Sequence, residues 1–194
     1  MAIDDGTKKH FSGHPIEGEY YTYADYLEWD DNIRYELIEG IPYAMSSPTI
    51  SHQEVSAQIT AQFVFYLRGK RCRVFAAPLD VRLYDNTVVQ PDIVVICDPS
   101  KLTDNKNCMG APDLVIEILS PSTSKVDKSY KKLLYEKAGV REYWIVDVNK
   151  KFVNVFILEN GIYGSGTTYI DTVPVYVLED FRINLTDVFE HLMW

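Results

Sequence analysis

Between Asp113 and Val148 the chain reads strand, helix, strand, and this order constrains the fold more than any other feature. Asp113-Leu114-Val115-Ile116-Glu117-Ile118-Leu119 and Arg141-Glu142-Tyr143-Trp144-Ile145-Val146-Asp147-Val148 are apolar on both alternating faces, the pattern of strands covered on both sides. Pro121-Ser122-Thr123-Ser124 offers several helix caps between them, and a helix is predicted to run to about Lys137 and stop at Ala138-Gly139. Such a unit pairs its strands in parallel through a right-handed crossover. The fold class is therefore α/β.

The rest of the chain supplies partners for that unit. Arg34 to Met45 reads as two short strands around a Glu39-Gly40 turn. Val55, Ile59, Phe63 and Leu67 recur at four-residue spacing, which predicts a helix from a Ser51 cap to Leu67, ended by Gly69. Cys72–Ala77, Asp80–Tyr84 and Asp92–Cys97 are predicted strands, and 98–112 a loop. A hairpin is expected over 151–170 around Glu159-Asn160-Gly161, then a short strand near Val175–Val177 and a helix from Leu185 to Leu192. Residues 1–19 are polar and aperiodic and read as a loose leader, leaving 20–194 as one domain.

Two carboxylates interrupt the apolar strands. Glu117 sits in the middle of Val115-Ile116-Glu117-Ile118-Leu119, and Asp92 opens Ile93-Val94-Val95-Ile96 after Pro91. A buried carboxylate costs several kcal/mol unless it is paired or binds a cation. Either residue alone is accounted for by a turn cap or an ion pair. The two together, on strands expected to be neighbours, point to a shared divalent metal, and hard oxygen ligands suit Mg²⁺ or Mn²⁺.

A lysine beside such a metal commonly lies two positions after the acid, but that position is Leu119, so it must come from elsewhere. Lys128, Lys131 and Tyr135 share one face of the predicted helix, flanked by Lys125 and Lys132. Lys125, Lys128, Lys131, Lys132, Lys137 and Arg141 outnumber the acids Asp127 and Glu136 in that stretch. Arg68, Lys70, Arg71 and Arg73 form a second basic cluster, for which a solvated helix end complementing the dipole is the preferred reading. Ser120 and Ser122 read as caps, and His10, His14, His52 and His191 lack zinc-ligand spacing.

Composition narrows the function classes. The net charge of −9 argues against a purely electrostatic nucleic-acid binder, but not against an enzyme that gathers carboxylates around a metal. Cys72, Cys97 and Cys108 are odd in number and lack ligand spacing, so no disulfide or zinc site is expected and a reducing cytoplasm fits. MAIDDGTKKHFSGHP has no apolar core of a secretory signal, and no apolar run approaches the roughly 20 residues that span a bilayer, so no membrane association is expected.

One set of motifs resembles a known family. Pro91-Asp92; Glu117 with Leu119 two positions on; Ser120-Pro121-Ser122; Asp127, Lys131 and Tyr135 at four-residue steps; Ala138-Gly139-Val140; and Glu142-Tyr143-Trp144-Ile145-Val146-Asp147 resemble the Uma2 (DUF820) family, as do Tyr35-Glu36-Leu37-Ile38-Glu39-Gly40, His52-Gln53 and Pro78-Leu79-Asp80-Val81-Arg82-Leu83. The resemblance covers about residues 20 to 192, and the family is similar to PD-(D/E)xK nucleases. It implies a restriction-endonuclease-like core, a mixed central sheet flanked by helices, with the C-terminal hairpin as an addition.

By that resemblance Asp92 and Glu117 would be the metal ligands and Lys131 the lysine migrated onto the helix, with Lys132 as fallback. Glu36 would be the acid contributed ahead of the core strands, and His52 a further member of the site. The implied activity is metal-assisted hydrolysis of DNA phosphodiester bonds, in a protein expected to dimerise because two-fold related sites cut both strands of a duplex. The competing reading is a nuclease-fold domain without strong catalysis that binds nucleic acid or protein.

Overall fold

The computed structural model describes residues 16, 18–102, 106–119, 130–190 and 192. In chain order these form α1 (Tyr23–Tyr26), β1 (Tyr35–Ile38), β2 (Ile41–Ala44), α2 (Ile50–Leu67), β3 (Arg73–Ala76), β4 (Val81–Tyr84), β5 (Thr87–Val89), β6 (Ile93–Ile96), a 3-10 turn (Pro99–Leu102), β7 (Cys108–Met109), β8 (Leu114–Ile118), α3 (Lys132–Ala138), β9 (Glu142–Asp147), β10 (Phe152–Glu159), β11 (Ile162–Tyr163), β12 (Thr167–Tyr169), β13 (Thr172–Pro174), β14 (Arg182–Asn184) and α4 (Leu185–Phe189).

The central sheet runs β11-β10-β9-β8-β6-β3, with β12 also on β10. As the two-sided apolar pattern requires, β8 and β9 pair in parallel at its middle, Leu114 against Glu142 through Ile118 against Val146. The neighbouring pairs β6–β8, β3–β6 and β9–β10 are antiparallel, so the sheet is mixed. One face carries Ile93, Val95, Leu114, Ile116 and Trp144, and α2 covers it with Val55, Ile59, Phe63 and Leu67. The other carries Val94, Ile96, Val115, Tyr143 and Ile145, packed against Leu134 and Tyr135 of α3 and against Val81, Leu83 and Val89. Each fully buried side chain of this size contributes roughly 1.5–3 kcal/mol.

A second sheet, β2-β1-β5-β4-β7, stands beside the first. Its β1–β2 hairpin turns at Glu39 (φ 50°) and Gly40 (φ 84°), both left-handed. A Cβ on Gly40 would meet Tyr20 Cδ1 at 3.0 Å, so position 40 suits glycine on two counts. Two of its other strands are short: β5 has three residues and β7 two, too few to stand out as period-two patterns; β7 lies in the stretch expected as a loop, and Thr87–Val89 carried no expected element.

The expected C-terminal hairpin is present, and it extends the central sheet: β10 pairs with β11 and β12 on one side and with β9 at six positions from Phe152–Asp147 to Ile157–Glu142 on the other. Several other expectations are corrected. Thr49, not Ser51, caps α2, accepting the His52 N–H. The tail strand lies at Thr172–Pro174 and pairs with Arg182–Asn184. Cys72 and Cys97, expected to be reduced, form a disulfide. The β3–β6 register, with Arg73 opposite Ile96, brings them face to face, a long-range pairing that spacing along the chain did not reveal. With this bond formed, the cysteines no longer point to a reducing compartment. Cys108 is free and buried. The leader, apart from Ile16, Gly18 and Glu19, and the helix start at 121–129, with Lys125, Asp127 and Lys128, lie outside the described residues. Among the described residues no helix is long and apolar enough to cross a membrane.

Candidate active site

The β6–β8 register pairs Ile93 with Ile116, and one step further sets Asp92 opposite Glu117. Both line one cleft, together with Glu36, His52 and Lys131, so all five residues singled out from the sequence converge. The cleft has a volume of about 1060 Å³; its walls are Tyr43–Thr49, the outer side of α2 and Ala76–Pro78.

Lys131, the residue at the N-cap of α3, has its Nζ 2.9 Å from Glu117 Oε1 and 2.9 Å from Glu36 Oε1. All three side chains are buried, with 5–8% of their surface exposed. One helical turn on, the Tyr135 hydroxyl donates to the same Glu117 oxygen at 2.6 Å. Burial, reinforced by the negative charges of Glu117 and Glu36, pushes that hydroxyl well above its usual range, so it remains a donor. Leu119, two positions after Glu117, packs against the α3-side core. The helix thus supplies the cation that the strand lacks.

Asp92 is held from two sides. Its Oδ2 accepts the Ile118 backbone N–H at 2.7 Å and lies 3.2 Å from His52 Nε2. Glu36 Oε1 accepts the Gln90 backbone N–H at 2.9 Å as well as the Lys131 ammonium. Three carboxylates against one ammonium leave two negative charges in the cluster when His52 is neutral.

Lys132, the fallback lysine, is not part of the cluster. Its ammonium donates to the Gly164 carbonyl at 3.3 Å and lies 4.3 Å from the centre of the Phe156 ring. The helix register selects Lys131, whose neighbour Tyr135 four residues on shares its face.

Sequence reasoning missed a supporting layer. The Gln90 side chain accepts from Arg34 Nε at 3.0 Å and Nη2 at 2.5 Å, and donates to Asp80 Oδ1 at 2.8 Å and to the Tyr26 hydroxyl at 3.2 Å. Tyr26 also donates to Asp80 Oδ1 at 3.0 Å. Burial raises the Asp80 carboxyl above its ordinary range, against the lowering effect of those hydrogen bonds. A signal existed for Arg34: it precedes Glu36 by two and shares its strand face, and it lines the same cleft. Nothing local marked Gln90, because its four partners come from distant segments.

This architecture, with its acidic cluster at the inner strands β6 and β8 of a mixed sheet, is that of a restriction-endonuclease-like α/β protein. A family model, Uma2, described as "Putative restriction endonuclease", matches residues 23–186, and the chain belongs to that family. It is 32% identical over 138 residues to the uncharacterized protein slr1290 of Synechocystis, covering 68% of this chain and 71% of that one. A second Synechocystis protein, the uncharacterized sll1609, is 25% identical over 133 residues, covering 65% and 74%. Among solved structures, "a putative nuclease belonging to DUF820" from Anabaena variabilis superposes with a TM-score of 0.73 at 22% identity, covering 88% of this chain and 98% of that one. At that identity the likeness is one of fold.

Proposed function

We propose that the cleft hydrolyses phosphodiester bonds of DNA, as an endonuclease working with Mg²⁺ or Mn²⁺. The observation that carries this reading is the meeting of Glu36, Asp92, Glu117 and Lys131, from four separate segments, at one cleft. A purely structural core often gains from replacing such groups with apolar side chains.

The donor set fits a divalent cation. Carboxylate oxygens and an excess of two negative charges suit a small hard ion. Asp92 and Glu117 would hold it, and with Oδ2 of Asp92 fixed by Ile118 and His52, Oδ1 is the oxygen left for the ion. Among the described residues no group of three or more His, Cys, Asp or Glu is arranged around one metal position. The other coordination places would fall to water and phosphate oxygens, as is usual for Mg²⁺. When bound, the ion supplies positive charge to a phosphoryl oxygen and makes water more acidic.

The chain's own groups do the rest. Lys131, steadied by Glu36 and Glu117, stabilises charge developing on the phosphoryl group. Tyr135 fixes the Glu117 carboxylate, and His52 fixes that of Asp92. The test is cleavage of plasmid and linear DNA with Mg²⁺ or Mn²⁺ by wild type, Asp92→Ala and Glu117→Ala. Cleavage by wild type and its loss in both variants is expected. Undiminished cleavage by either variant removes that residue's role, and no cleavage by wild type favours a non-catalytic binding domain.

A further inference from the structure

Building on the nuclease reading, we propose that Arg68, Lys70, Arg71 and Arg73 form a second contact for the DNA backbone, reached by the strand as it leaves the cleft along the outer side of α2. All four side chains are exposed. Among the described residues none of the four lies within ion-pair distance of a carboxylate, although Arg71 acts on Asp98 from further off; Lys70 lies 3.2 Å from the Tyr66 ring centre, and Arg68 5.7 Å from that of Phe65. In a chain of net charge −9 this is a local reversal of sign. Completing the helix dipole accounts for Arg68 and Lys70 at the end of α2, but not for Arg71 and Arg73 beyond it.

Continuity with the cleft gives the patch its occupant. Gln53, Ala57, Ala61 and Val64 of α2 line the cleft at steps of four, four and three residues, and one further step of four lands on Arg68. The strand packed beside the helix repeats the arrangement: Ala76, at one end of β3, lines the cleft, and Arg73, at the other, belongs to the patch. Phe65, 75% exposed next to Arg68, adds a ring against which a base or sugar can pack.

The length of the track predicts a size threshold. His52, beside the acidic cluster, and Arg68, the residue that ends α2, are sixteen residues apart, about 24 Å along the helix axis. At about 3.4 Å per step of a B-form strand, that is about seven steps. A duplex of four base pairs held in the cleft does not reach the patch; one of twenty does.

The experiment measures binding of a fluorescent twenty-base-pair duplex and of a short duplex of four base pairs closed by a hairpin loop, across a salt series, in EDTA, for wild type and for Arg68→Gln/Arg71→Gln/Arg73→Gln. The triple variant is expected to bind the long duplex at least about tenfold more weakly at 0.1 M salt, with a log K against log salt slope shallower by about 2.7. Its affinity for the short duplex is expected to be unchanged. Equal losses on both lengths, no loss on the long duplex, or no binding of it by wild type overturns the proposal. Cleavage by wild type is scored separately with Mn²⁺: length-dependent binding without cleavage sinks the nuclease reading and keeps the patch, whereas cleavage with no effect of the triple variant does the reverse.

Discussion

Lys131→Met isolates the charge balance of the site. The ammonium is 2.9 Å from Glu36 Oε1 and 2.9 Å from Glu117 Oε1, so those oxygens are at most 5.8 Å apart. Without the cation between them, two buried carboxylates at that separation repel by about 3 kcal/mol or more at an effective dielectric constant near 20. Breaking a buried ion pair by removing one partner costs about 3–5 kcal/mol, because the remaining charge is buried without compensation. For a chain of this length that is a fall in Tm of roughly 6–20 °C, followed by calorimetry or circular dichroism in EDTA. Glu117→Gln in the Lys131→Met background removes one of the two facing charges and is expected to restore a large part of the loss, whereas independent sites would add their costs. A Lys131→Met protein that melts with wild type, or a double variant less stable than either single one, refutes the reasoning.

Further outcomes follow from the same geometry. Tyr135→Phe removes a hydrogen bond to a charged acceptor and is expected to cost about 1.5–3 kcal/mol in urea unfolding. Asp80→Asn tests the raised carboxyl: with its pKa above the unfolded value, the folded protein binds the extra proton at acid pH, so wild-type stability falls as pH rises through the folded pKa. The variant keeps an acceptor for Tyr26 and Gln90, so it is expected to match or exceed wild type in Tm near pH 7.5 and to lose that advantage near pH 4. The Cys72–Cys97 bond closes a loop of 25 residues, so Cys72→Ser/Cys97→Ser is expected to lose up to about 3.5 kcal/mol in urea without reductant.

The middle of the sheet was legible because β8 and β9 are buried on both faces and carry continuous apolar runs that only a covered parallel pair explains. Asp92 and Glu117 were legible for the complementary reason, as charges in a pattern that otherwise admits none. Helical periodicity put Lys128, Lys131 and Tyr135 on one face, and the family resemblance singled out Lys131 among them. What escaped depends on pairings far apart in the chain. Gln90 supports Glu36 through a backbone N–H and Arg34 through its side chain, and neither bond leaves a local trace. The Cys72–Cys97 bond followed from the antiparallel register of β3 and β6, which residue spacing did not encode. The basic cluster after α2 was visible as composition, but its alignment with the cleft emerged only once Gln53, Ala57, Ala61 and Val64 were seen to form the wall.

The most direct test of the metal site is titration calorimetry of Mn²⁺ into the metal-free protein and into Asp92→Ala and Glu117→Ala. The account predicts a saturable heat in wild type that disappears in both variants while each remains folded. Equal heats in all three, or none in wild type, would show that these two acids do not share an ion.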